Sequence, residues 1–363
     1  MRTKEVLRGK KGDVVLYTGK ICDTHMHVYD ANTLNTVVRR INGYGYDRYA
    51  LLSTSGGELG ARGIVNAVIL LQKLRDPGRA YAFAGLEHPD RGTASAEELL
   101  AQVKMYHRMG FDGLKMLEGK PNYRIRTAQA LDSDVYEPVY AYLEENGLPL
   151  LAHVNDPRYF WDKSKMTPWQ ISMGWYAGDD CLPFETVRAE ALAVARRHPR
   201  LRIVFAHFFF ASASVQEADE ILDAYPNVSF DLTPGTFYME MAANRGVWRE
   251  FFLRRADRLL FGTDFYDAAP EAHVPDCRRM LETDDSFVFF DVPVQGFALP
   301  DTALERIYRT NFERFAGSAP RPVPKAEIPA FLAWESAGME GKQNAAETQA
   351  ALATLSLGFE ANK

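Results

Sequence analysis

The chain has 363 residues, 47% hydrophobic and 25% charged, a balance that excludes a disordered or fibrous protein and guarantees a sizeable core. Lys and Arg number 42 against 48 Asp and Glu, for a net charge of −6, which argues against nucleic acid and leaves a small molecule as the expected partner. Three widely spaced cysteines, Cys22, Cys181 and Cys277, form no Cys-x-x-Cys pair, which excludes a thiolate zinc finger and suits a reducing compartment.

Residues 1–20 read as an N-terminal extension carrying Arg2, Lys4, Arg8, Lys10 and Lys11 with no apolar block behind them, so neither signal peptide nor anchor is expected. Apolar runs then recur at 21–28, 64–71, 81–86, 111–117, 148–154, 201–207, 227–231 and 258–262. The most apolar stretch, 203–211, contains His207 and falls short of the about 20 residues that a membrane helix needs. A cytoplasmic protein without membrane contact is expected. Between several runs lie helical segments: 96–109, opened by a capping box of Ser95 and Glu98, then 135–145, stopped by Gly147, and 185–197 and 214–224. Runs that are apolar throughout belong to strands buried on both faces, and strands separated by helices form a parallel sheet. Eight such units predict an α/β fold, a (β/α)8 TIM barrel over residues 21–317.

Two places break the rhythm. Only residues 72–80 separate the second and third runs, and Asp76-Pro77-Gly78 within them is a turn signal, so the second helix is expected to be absent or cut to about a turn. Residues 155–181 form a long connection with Trp161, Trp169, Trp175 and Tyr176, which reads as a lid over the barrel mouth. Residues 318–363, rich in proline and then weakly helical, form a C-terminal helical extension.

Asp23-Thr24-His25-Met26-His27 ends the first run. Residues two apart on a strand face the same side, so His25 and His27 can share one metal ion, although such a pair is often only a hydrogen-bonded feature. His153 ends the fifth run, His207 the sixth, and Asp264 follows the eighth. An ionisable group at the tip of a buried strand is costly unless paired or metal-bound, and the carboxyl ends of barrel strands are where this fold places its chemistry. Any one of the five could be a satisfied polar residue; together they point to a metal site.

This ordered set resembles the amidohydrolase superfamily, in particular the amidohydrolase 2 branch, which includes amino-carboxymuconate-semialdehyde decarboxylase and resorcylate-type decarboxylases. The resemblance also takes in Asp112-Gly113-Leu114-Lys115 and Asn311-Phe312-Glu313-Arg314-Phe315. It implies that His25, His27, His153 and Asp264 bind one divalent ion, Zn²⁺ first and Mn²⁺ second, since nitrogen and carboxylate donors suit both. It makes Asp264 and His207 the catalytic pair, and Lys115 a partner for a substrate carboxylate or an oriented structural cation. Homodimers or larger homo-oligomers are expected. Where relatives often continue aromatic then proline after the last aspartate, this chain has Phe265-Tyr266-Asp267, so that wall of the pocket is expected to differ.

Arg124, Arg126 and Arg158 fall in loops after the fourth and fifth strands, where they either grip an acidic substrate or stay solvated. Trp161, Trp175 and Tyr176 either line the substrate or pack the long loop down. The first expectation for function is hydrolysis of an amide, ester or lactone of a small, carboxylated substrate by a metal-activated water, Asp264 taking the proton while His207 polarises the carbonyl. The alternative is non-oxidative decarboxylation of a small aromatic or unsaturated acid on the same ion. A barrel that binds metal or ligand without turnover is the third.

Overall fold

The computed structural model describes residues 16–54, 64–178, 180–234, 237–289, 291–338 and 345–360; most of the N-terminal extension read at 1–20 lies outside them. Eight strands follow one another in space as in sequence: β1 (Cys22–His27), β2 (Arg48–Leu52), β3 (Ala80–Gly85), β4 (Gly113–Gly119), β5 (Leu150–Val154), β6 (Ile203–Phe205), β7 (Val228–Asp231) and β8 (Leu259–Leu260). Every neighbouring pair is parallel. The ring closes through the segment after β8: Thr24 N–H donates to the Phe261 carbonyl at 2.9 Å, Asp264 N–H to His25 at 2.8 Å and His27 N–H to Phe265 at 2.8 Å. This is a TIM barrel, with strands β1, β3 and β5 buried along their whole length.

Local chemistry explains the helix ends. Ser95 and Glu98 form the expected capping box on the helix Ala96–Arg108, each side chain satisfying the other's otherwise unpaired N–H. The helix Ala31–Tyr44 that leaves β1 is capped in the same way by Asp30 and Thr33 and stops at Gly45, whose φ of 68° glycine adopts without strain.

The second unit differs from expectation. Residues 64–71 are not a strand; they belong to a full helix, Ile64–Arg75, and the strand before it is β2. The shortened second helix is therefore not found. The misreading has a physical cause. Every residue from Ile64 to Leu74 is buried, because the helix Ala345–Glu360 lies over the face that would otherwise meet solvent, and a helix covered on both sides loses the polar stripe that marks its period. In the same extension, Phe331 of the helix Ile328–Gly338 packs on Phe111 at 6.1 Å, and Trp334 on Tyr106 at 5.9 Å. A hairpin of Ser286–Phe289 and Val292–Gln295 precedes β8's final partner helices.

One end of the barrel is stopped. Phe312 meets Tyr81 edge-on at 4.8 Å and Phe315 stacks on Phe83 at 5.7 Å, within a cluster that includes Cys22, Leu151, Val204 and Leu260. Asn311 holds this plug by donating to the carbonyls of Ala256 and Leu259, both at 2.7 Å. With the floor filled, the opposite end, at the carboxyl tips of the strands, is where the polar groups gather.

Candidate metal centre

His25 and His27, two apart on β1, turn to the same side as the strand pleat requires. Each ring is held by its Nδ1: His25 pairs with Asp231 Oδ2 at 2.8 Å, and His27 with the Leu52 carbonyl at 3.0 Å. With those nitrogens donating, both Nε2 lone pairs face inward, 3.0 Å apart. Asp264 completes the group. Its backbone is left-handed, at φ 54°, a conformation aspartate tolerates better than most residues. That turn sets Oδ1 3.2 Å from His27 Nε2 and 3.6 Å from His25 Nε2. One donor atom from each of the three residues lies within 4.8 Å of the others, so the donor set fits a divalent ion of the nitrogen- and oxygen-liganded type.

The electrostatics suit a cation. Burial pushes Asp264 up, but the adjacent His27, His25 and His207 more than offset it, so the carboxyl stays well below its usual range. Burial, helped by Lys115, lowers His25 well below the ordinary histidine value, so its ring is neutral and able to ligate. Asp23 is the joint beneath: it accepts from His25 N–H at 3.1 Å and from the Thr263 hydroxyl at 2.7 Å, and burial raises it to about 7.

His207 stands beside this cluster, its ring centroid 5.4 Å from that of His25 and 4.7 Å from that of His153. It begins four consecutive left-handed residues, His207 to Phe210, at φ 55, 56, 54 and 48°. Such a turn costs roughly 1–2 kcal/mol per residue. Packing opposes that cost: Phe208 sits among Phe230, Trp248 and Phe251, and Phe209 stacks on Phe205 at 4.0 Å. Burial, then the neighbouring His153, lowers His207 to about 4. Lys115, fully buried, brings Nζ to 3.2 Å from His25 Nε2, and burial lowers it to about 8 against the pull of Asp231 and Asp264.

His153 lies at the mouth on the far side of His207, but its Nε2 is paired with Asp156 Oδ1 at 3.2 Å and it is outside the three-residue cluster. Asp156 is held at about 2, since burial is more than offset by Lys120 and His153.

The remaining expected residues are engaged elsewhere. Arg124 forks onto Glu190 at 3.2 and 3.1 Å. Arg126 lies over the Tyr123 ring at 4.5 Å. Arg158 pairs with Glu185 and with Glu217, the latter at 2.7 Å, above the ring of Phe184. Trp161 donates to the Leu182 carbonyl at 3.0 Å, Trp175 stacks on Phe160 at 5.7 Å, and Tyr176 lies under the Lys163 ammonium. The loop 155–181 thus packs its aromatics largely on itself, in short turns and the helix Pro168–Ser172.

Two kinds of site residue escaped the sequence reading. Asp231 orients His25 with one oxygen and accepts His207 N–H at 2.8 Å with the other, while Thr233 Oγ1 lies 3.0 Å from His207 Nδ1. Its signal was present, because it ends the seventh apolar run as His153 and His207 end theirs. Tyr29 stacks on His27 with Tyr266 edge-on against it, each at 6.5 Å, so the departure at Phe265-Tyr266-Asp267 furnishes an aromatic wall beside the ligands.

The family model for amidohydrolases matches residues 22–315, and the chain belongs to that family, whose members are metal-dependent enzymes. No curated protein shows significant sequence similarity to it. Among solved structures, it is similar to an uncharacterized TIM-barrel protein from Bordetella bronchiseptica, with 16% identity, a TM-score of 0.53 and coverage of 83% of this chain and 99% of the other. A 2,6-dihydroxybenzoate decarboxylase from Rhizobium matches at 16% identity and TM-score 0.52, covering 82% and 98%. A dihydroxybenzoic acid decarboxylase from a Polaromonas species, with bound manganese and 2-nitroresorcinol, matches at 13% and 0.50, covering 82% and 97%. At these identities the likeness is one of fold. Among the described residues, no helix is long and apolar enough to cross a membrane.

Proposed function

We propose that the protein is a metal-dependent, non-oxidative decarboxylase of a small, planar carboxylic acid, the reading ranked second on sequence. The observation that carries it is Lys115, an ammonium buried against the ligand histidines, 3.2 Å from His25 Nε2. Asp231 and Asp264 already attract this ammonium, and a substrate carboxylate entering beside Tyr29 would add a directly paired anion. The two decarboxylases on the same fold support this order. A divalent ion, Zn²⁺ or Mn²⁺, on His25, His27 and Asp264 would supply a fixed positive charge that holds and polarises substrate oxygens.

In this reaction the bond from the ring or vinyl carbon to the carboxylate carbon breaks, carbon dioxide leaves, and the electron pair stays on the substrate carbon until a proton reaches it. Asp264, ionised, and His207, neutral at pH 7, are the groups able to hold that proton in transit. Thr233 and Asp231 fix His207, and Tyr29 presents an aromatic face to the substrate plane.

Hydrolysis is the second reading, favoured by one observation: Asp264 is already ionised beside the ligands, as a base that takes a proton from water must be. The test is to load the purified protein with Zn²⁺ or Mn²⁺ and offer 2,6-dihydroxybenzoate and other hydroxybenzoates alongside lactones and N-acyl amino acids. Carbon dioxide release from the acids is expected. Turnover confined to the lactones or amides, with no carbon dioxide, would replace decarboxylation by hydrolysis.

A further inference from the structure

Asp264 sits in a stretch of main chain that hydrogen bonds fix on both sides of it. β1 takes the carbonyls of Phe261 and Phe265, through the N–H groups of Thr24 and His27 at 2.9 and 2.8 Å. Between them, Thr263 donates its N–H and its hydroxyl to Asp23, at 3.2 and 2.7 Å. Gly262 lets this segment lie against β1, since a Cβ there would stand 3.1 Å from that of His25. The Thr263 carbonyl is bonded from outside the sheet. His273, the buried first residue of the helix His273–Glu282, brings Nε2 to 2.6 Å from it, and because a carbonyl only accepts, the ring donates.

The peptide joining Thr263 to Asp264 is therefore held at both edges, its carbonyl by His273 and its N–H by the His25 carbonyl at 2.8 Å. A peptide unit is planar, so bonds at opposite edges leave it little freedom to rotate. From that plane the left-handed φ of 54° at Asp264 directs Oδ1 to 3.6 and 3.2 Å from Nε2 of His25 and His27. We infer that His273 is the positioning residue for Asp264: it holds the Thr263 carbonyl so that the left-handed turn delivers the carboxylate to the two histidines. This rests on the metal-centre reading of the site, whose three donors the fold brings together. Such a backbone is sparsely populated by residues other than glycine and persists where its surroundings over-determine it. Arg40 anchors the chain further on, stacked on Phe265 at 4.4 Å and donating to the carbonyls of Asp267, Ala269 and Pro270. Only His273 reaches from a helix to the peptide of Asp264 itself. Removing a partner that orients a ligand typically weakens metal binding 10- to 100-fold.

The test is a double-mutant cycle read by Zn²⁺ affinity in chelator competition. His273→Leu and His273→Ala remove the donor, His273→Gln keeps an N–H, and each is made in wild type and in Asp264→Gly, where the carboxylate is gone and glycine adopts the turn freely. In the wild-type background, His273→Leu is expected to bind Zn²⁺ about 10- to 100-fold more weakly, and His273→Gln to lose less. In the Asp264→Gly background, the same replacements are expected to change affinity by less than about twofold, because a residue acting through Asp264 has nothing left to position. His273→Leu fills more of the ring's space than His273→Ala and carries the comparison if the alanine variant does not fold. Wild-type affinity in His273→Leu, or an equal loss in both backgrounds, would overturn the inference alone. A wild-type protein unable to hold Zn²⁺ would overturn the metal-centre reading and this inference with it.

Discussion

In the proposed reaction Asp264 would carry two duties that one substitution can separate. As a ligand it would be one donor among imidazoles; as an ionised carboxylate it would also hold the proton of the proposed reaction. Asp264→Asn keeps an oxygen donor and removes the base, so turnover is expected to fall by about 10²- to 10⁴-fold even with metal resupplied. Wild-type turnover at full metal content would reduce Asp264 to a ligand. His207 offers a different handle. Its folded-state pKa of about 4 lies below the ordinary 6.5, so between those values the unfolded chain holds a proton the folded one does not, and acidification costs stability. Below about 4 both states are protonated and the loss is complete; above 6.5 neither is. Urea unfolding of the metal-free protein should therefore show wild type losing stability relative to His207→Asn as pH falls from 6.5 to 4, at no more than about 1.4 kcal/mol per pH unit. A pH-independent difference would mean that His207 titrates normally.

At the scale of elements, the helix Ile64–Arg75 shows how one part of the chain conceals another. Its apolar surface is too extensive for a helix lying half in water, and the helix Ala345–Glu360 is what makes it tenable. The approach is close enough that a Cβ on Gly358 would stand 3.1 Å from Leu71. Leu352 and Leu355 of the covering helix are buried, at 2% and 4% exposure, and truncating a buried leucine to alanine typically costs 2–5 kcal/mol. Leu355→Ala is expected to destabilise the protein by about that amount in equilibrium unfolding. A cost below about 0.5 kcal/mol would mean that the covering helix is not docked in solution. The long loop 155–181 contrasts with this: Trp169 and Trp175 remain 59% and 39% exposed, packed on each other at 4.9 Å.

For the whole molecule, the barrel gathers one set of candidate metal donors at its mouth among the described residues. His25, His27 and Asp264 converge on one point, with the Lys115 ammonium 3.2 Å from His25 Nε2. The purified protein is expected to hold about one equivalent of divalent metal, by elemental analysis, and to melt at lower temperature after chelation. An ion present at a thousandfold over its dissociation constant adds about 4 kcal/mol to stability. Two equivalents would overturn the single-ion arrangement.

Much of this was legible in the linear chain. Seven of the eight apolar runs overlap barrel strands, because burial on both faces leaves a local mark. The pair His25 and His27 was legible because the strand's period of two sets it, and Asp264 because it follows its strand directly. Residues 64–71 were misread because their partner helix lies far along the chain. Tertiary contacts alone decided how the ligands are aimed: Asp231 reaches His25 across 206 positions, and of the loop arginines read as either substrate grips or solvated residues, Arg124 pairs with Glu190 and Arg158 with Glu185 and Glu217. Strand periodicity is short-ranged and repeats along the chain. A hydrogen bond or ion pair between distant residues exists only once the barrel closes and brings them within about 3 Å.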